Sequence, residues 1–207
     1  MAYEFYITIK GSKSGQFNGE ATKASQKGKI AGLAFHLDVT SPRSASSGVA
    51  IGKRQYQPLQ IVKEMGAASP QLFNACVTNE TLTDVLFEFI STDEQGKETV
   101  YQTIKLTNAS ISGYRQDVQG PAPGTTGSMQ LLEEVDFAFQ TIQMQNNDTK
   151  GGATAAGSTS ATDNWTTNAS VRTSNGSLNT VLSTPASSQI VQTTQAVHRP
   201  VQTPSHT

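Results

Sequence analysis

Apolar and polar side chains alternate over residues 3–9, with Tyr3, Phe5, Ile7 and Ile9 on one side and Glu4, Tyr6 and Thr8 on the other. A period of two is that of a half-buried strand. The pattern recurs over residues 30–39, 59–63, 83–91, 100–106, 109–114 and 131–144. Several of these runs are rich in the β-branched and aromatic residues that suit a pleated surface. "STDEQGKE" puts Gly96 in a short polar connection between two alternating runs, the signature of a β-hairpin. "NGEATKASQKGK" and "QGPAPGTTGSMQ" are further polar loops, and Pro121 and Pro123 bar a continuous strand through the latter. Strands at this spacing predict a mainly β fold, a small antiparallel β-barrel or two-sheet sandwich.

One segment carries the helical period. In "SPQLFNACVTNE" Ser69 suits an N-cap and Pro70 the first helical position, and Leu72, Phe73, Cys76 and Val77 fall on one face. A short flanking α-helix of about three turns is expected to cover an open end of the barrel. Two segments lack any pattern. "TSPRSASSGVAIGKRQYQP" has almost no core-forming side chains, yet it is far longer than the usual connection of about four to six residues. From residue 151 onward the chain is dominated by small and polar residues, with only Asp163, Arg172 and Arg199 charged. Such a composition does not offset its own chain entropy by burial, so a low-complexity, flexible C-terminal extension is expected over 148–207 beside a folded unit of 1–147. A tether for a cargo, or a segment that folds on meeting a partner, is the alternative for that extension.

Composition narrows the partners. The 207 residues carry a formal charge of -1, which gives no electrostatic reason to expect nucleic acid or an anionic membrane. The amino-terminal stretch has no apolar core of a signal peptide, and no run approaches the roughly twenty apolar residues of a membrane span, so a soluble protein made in the cytoplasm is expected. The single cysteine, Cys76, excludes an intramolecular disulfide and a cysteine-based zinc site.

Candidate chemistry is sparse. Cys76 with His36 is the one conceivable nucleophile and base, but nothing local orients the pair, and a lone cysteine on an apolar helix face is ordinarily a small core residue. Glu133, Glu134 and Asp136 invite a metal or acid-base reading; alternation puts Glu134 and Asp136 on one side and Glu133 with Val135 on the other, and a solvated strand face is expected. "GTTG" at residues 124–127 lacks the lysine and the strand-to-helix setting of a phosphate loop. Lys53, Arg54, Lys63 and Arg43 are too few for a nucleic-acid footprint, and charged loop residues on a β scaffold suit recognition of a protein surface. No catalytic, cofactor or metal residue is assigned, and no enzyme activity is expected.

The segments "YEFYITIKGSKSGQFNGEATKASQKGKIAGLAFHLDVTSPR", "SGVAIGKRQYQPLQIVKEMGAASPQLFNACVTNETL", "VLFEFISTDEQGKETVYQTIKLTNASI", "LEEVDFAFQTI" and "TDNW" follow one another in the order seen in the Hcp family. These are the haemolysin-coregulated proteins of bacterial type VI secretion systems, and the resemblance runs from Tyr3 to about Asn147. It implies a small β-barrel of two antiparallel sheets with a short helix, assembling as a homohexameric ring. Such rings stack into the inner tube of a contractile injection machine and hold small effectors in their lumen. The implied partners are other copies of the chain, the sheath, the baseplate and tip spike proteins, and the effectors, with secretion by the type VI machinery itself.

The resemblance also implies that the long loop is an arm contacting the adjacent subunit or the next ring, through Thr40, Ser41, Pro42, Arg43, Gly48, Gly52, Lys53, Arg54, Gln55 and Tyr56. At Tyr56 this chain departs from the histidine that many members carry, and where members have an acidic pair before the terminal tryptophan it has Asp163-Asn164 before Trp165. Two other classes of function compete. An Hcp fused to an effector domain would need a patterned core after residue 151, and a free-standing β-barrel binding module would use the loop for ligand recognition.

Overall fold

The first alternating run forms β1 (Ala2–Gly11), with Ile7 and Ile9 fully buried and Phe5 nearly so. In the computed structural model residues 2–92, 94–120, 129–147, 158–165, 169–174 and 177–182 are described. β1 turns back through β2 (Gly15–Gln16). The turn is tied by Glu80, which accepts from the Lys13 and Ser14 amides, each at 2.7 Å, and from the Ser14 hydroxyl at 2.7 Å. After a single 3₁₀ turn at Ala24–Gln26 come β3 (Ile30–Gly32), β4 (Ala34–His36), β5 (Val39–Thr40), β6 (Gln55–Tyr56) and β7 (Leu59–Glu64). Helix α1 (Ser69–Val77) leads into the long strands β8 (Leu82–Thr92), β9 (Glu98–Gln119) and β10 (Gln130–Asn146).

These strands close a barrel, as the alternation predicts. β1 pairs with β8, β8 with β9, β9 with β10 and β10 with β7, all antiparallel. The circuit is completed by residues 30–36: β3 pairs with β1 and β4 with β7. The expected single strand over 30–39 is therefore divided. It changes partners at Leu33, whose amide donates to the Val62 carbonyl at 2.8 Å. Gly32 permits the crossing, because a Cβ there would lie 2.0 Å from the Phe5 ring. Residues 39–40 then leave the barrel altogether to pair with β6 in a separate ribbon.

The expected strands over 100–106 and 109–114 are one strand, β9. Asn108 sits between them at φ 50, a left-handed conformation that asparagine tolerates, and its side-chain amide donates to the Gln140 side chain at 3.2 Å. The strand runs on through it. Inside the barrel Phe35 meets Phe89 and Phe87 edge to face at 5.1 and 5.3 Å, and Phe87 meets Phe137 at 6.1 Å. Such pairs add roughly 0.5–1.5 kcal/mol each beyond area burial.

The helix forms where expected but faces differently. Its cap position is Ala68, and Ser69 is the first helical residue, its hydroxyl accepting from the Gly66 amide at 2.9 Å. The buried stripe is Ala68, Leu72 and Ala75, at the i, i+4, i+7 spacing of one helix face. Phe73 and Val77 stand exposed, and Phe73 lays its ring against Tyr114 of β9 at 5.8 Å.

Along its other edge β10 is shared. Its first half, Leu132 to Phe137, carries β7; its second half, Thr141 to Asn146, carries β11 (Thr159–Asn164). β12 (Ala169–Ser174) and β13 (Ser177–Leu182) continue that sheet outward. Part of the segment read from sequence as an extension thus adds strands to the barrel's sheet. Much of the loop containing Pro121 and Pro123 lies outside the described residues.

Candidate functional site

The long unpatterned loop is a projecting arm with its own internal order. Its base is the ribbon β5–β6, in register Val39 to Tyr56 and Thr40 to Gln55. Farther out, Arg43 bridges Ala50, the Ile51 amide donates to the Pro42 carbonyl at 3.0 Å, and the Ser44 amide to the Val49 carbonyl at 2.9 Å. The tip closes at Gly48, whose φ of 69 suits glycine and whose carbonyl accepts from the Arg43 guanidinium at 3.1 Å. Regular backbone bonding explains how a segment without core residues keeps a shape. Its apolar side chains face out: Val39, Val49 and Ile51 are 49, 62 and 68 % exposed.

Thr40, Ser41, Arg43, Gly48, Gly52, Lys53 and Gln55 are exposed on this arm, and Pro42 is half-buried against Gly52. Arg54 and Tyr56 behave differently. Arg54 Nε forms an ion pair with the Asp163 carboxylate on β11, and its Nη2 donates to the Asn164 carbonyl at 3.1 Å. The Tyr56 hydroxyl donates to the same Asp163 carboxylate at 2.6 Å. Burial, and then the neighbouring carboxylate, push the Tyr56 hydroxyl up to about 12. Trp165 secures the end of β11, its indole donating to the Phe139 carbonyl at 2.6 Å. Asp163 lies more than a hundred residues from the arm in sequence, and no local pattern marks it as a partner.

The remaining candidates resolve into structural roles. Lys63 does not join Lys53 and Arg43 on a basic surface: it is fully buried and pairs with Glu133 at 2.8 Å, and with Glu20 at 3.3 Å. Glu133, which alternation puts on the side of Val135, is 1 % exposed and also accepts from the Tyr114 hydroxyl at 2.7 Å. The cause is strand phase. Leu59, Ile61 and Lys63 share the inner side of β7, and Glu133 is the cross-strand partner of Lys63. Burial and Glu133 push the Tyr114 hydroxyl up to about 12. Glu134 and Asp136 do share the outer side, with Arg115 and Gln60 bonded to both. His36 is exposed on β4 opposite Gln60, whereas Cys76 packs against the core from α1. Among the described residues the arrangement offers exposed loop surface and internal ion pairing.

Comparison with known proteins places this architecture. Residues 6–146 match the family described as type VI secretion system effector, Hcp. The chain is 27 % identical over 177 residues to the major exported protein of Pseudomonas aeruginosa, covering 80 % of this chain and 96 % of that one. Among solved structures it superposes on Hcp1 from E. coli EAEC 042 with a TM-score of 0.65 at 21 % identity, covering 79 and 99 % of the two chains. It superposes on the secreted protein Hcp3 of Pseudomonas aeruginosa with a TM-score of 0.59 at 22 % identity, covering 79 and 99 %. The barrel, its helix and its arm are therefore those of a type VI secretion protein, and the chain belongs to the Hcp family.

Proposed function

We propose that this chain is a subunit of the type VI inner tube, that six copies close into a ring, and that rings stack and are expelled with small effectors in their lumen. It works by assembly, without chemistry on a substrate. The observation that carries the reading is a pair of unlike surfaces at opposite ends of the same strands. At one end, where Leu59 pairs with Phe137, the arm presents Val49 and Ile51 with the cations Arg43 and Lys53. At the other, beyond the Glu64–Leu132 pair, Val118, Met129 and Leu131 are about half exposed or more, flanked by exposed Glu64 and Asp117. Two different patches, one carrying cations and the other carboxylates, favour a head-to-tail contact, which repeats along a stack.

On this reading residues 1–147 form the tube unit and 148–207 an extension joined to it through β11. The partners are other copies of the chain, the sheath, the baseplate and tip spike proteins, and the carried effectors. The chain would be held in the cytoplasm before assembly and leave through the type VI machinery without a signal peptide. Light scattering coupled to size exclusion tests the first step. A six-chain species supports the reading, and a strict monomer at high concentration contradicts it.

A further inference from the structure

The arm would be weakly aimed by its own base. The β5–β6 ribbon is two residues long on each side, and isolated two-stranded pairings are marginal in water. What fixes the arm is β11. β10 passes from β7 to β11 between Phe137 and Thr141, and this is where the arm leaves the barrel, next to Leu59. Three polar bonds reach from the returning limb of the arm to two consecutive β11 residues: Arg54 Nε and the Tyr56 hydroxyl to the Asp163 carboxylate, and Arg54 Nη2 to the Asn164 carbonyl. The Arg54 and Asp163 side chains are only 23 and 16 % exposed. A charge-assisted pair shielded to that degree is stronger than a solvent-exposed one.

The strap is itself held. The Trp165 indole donates to the Phe139 carbonyl at 2.6 Å, and the Tyr56 ring packs edge-on against Phe139 at 5.3 Å. Arm base, β11 and β10 therefore meet around one residue. We propose that Asp163 is the positioning residue of the arm and that β11 is a strap setting the direction in which the arm projects. The consequence for stacking rests on the tube reading; the positioning itself concerns a single chain.

Hydrogen exchange followed by mass spectrometry on the full chain tests it. Asp163→Asn keeps the shape and removes the charge. The Gln57 amide, which donates to the Asp38 carbonyl at the arm base, should exchange about tenfold faster or more, while amides of β8 keep wild-type rates. Arg54→Glu and Asp163→Arg should each loosen the arm, and the two together should restore its protection. Unchanged arm exchange in Asp163→Asn, an equal rise in β8, or a double variant as loose as the singles would overturn the proposal. Microscopy of the same variants separates the two readings. Absence of rings in the wild type would sink the tube reading and leave the exchange result standing. Normal tubes from a loose-armed Asp163→Asn chain would overturn the strap's part in stacking.

Discussion

Lys63 and Glu133 show how much one residue's strand phase decides. Both fall at inward positions of alternating strands, Lys63 after Leu59 and Ile61, and Glu133 between Leu131 and Val135. The place of Glu133 on the Val135 side was legible in the sequence, although Lys63 read there as one of a cluster of surface cations. That the two strands pair in the register that brings these residues together was not, since it depends on a contact across 70 positions. Removing one charge strands the other in the barrel, so Lys63→Ala should cost roughly 3–5 kcal/mol in denaturant unfolding. Replacing both, as Lys63→Met with Glu133→Leu, should recover part of that loss but not all of it, because Glu20 and the Tyr114 hydroxyl still lose a partner. Additive losses in that cycle would show that the pair is not energetically coupled. Glu80 supplies a pH-dependent counterpart. Its carboxyl is held below the ordinary carboxylate range, first by the Ser14 side chain and then by the amides of Ser14 and Lys13. A folded-state value below the unfolded one means stability present above 4.5 and lost as pH falls through the folded value. Glu80→Gln should therefore destabilise at neutral pH and flatten the acid limb of a melting-temperature profile. An acid limb as steep as that of the wild type would refute this role.

At the scale of elements, alternation located the strands of the closed circuit, though not where each begins or changes partner, and it missed β2 and β11, which belong to the same sheet. Residues 30–39 look continuous because Ile30, Leu33, Phe35 and Leu37 keep supplying apolar side chains. The division at Leu33 comes from closing the barrel, a demand no local pattern carries. Gly32→Ala tests the closure, because the new methyl would meet the Phe5 ring, and overpacking of this kind costs roughly 1–3 kcal/mol. A melting temperature equal to that of the wild type would mean that Phe5 yields easily. The helix teaches the converse lesson. Its existence followed from Ser69, Pro70 and the apolar spacing, yet the buried stripe chose Leu72 and Ala75 over Phe73 and Val77. The rotation depends on packing against the barrel, which a helical period alone does not carry.

For the whole molecule, the family and its barrel could be read from motifs in order, and the long loop could be read as an arm by resemblance. Its internal bonding and its attachment through Asp163 required the folded chain, because β11 is separated from the arm by almost the entire barrel. On the proposed tube reading, the core and the assembly surfaces are kept apart. The arm contributes none of the residues buried in the core, so deleting Ser44 to Gly52 should leave the barrel's thermal unfolding within a few degrees of the wild type, as expected for surface changes in a domain of this size. Electron microscopy of the purified full chain beside this deletion is the most direct measurement of the central claim. The account predicts sixfold rings from both proteins and stacked tubes from the full chain alone. Strict monomers, or tubes that survive loss of the arm, would contradict it.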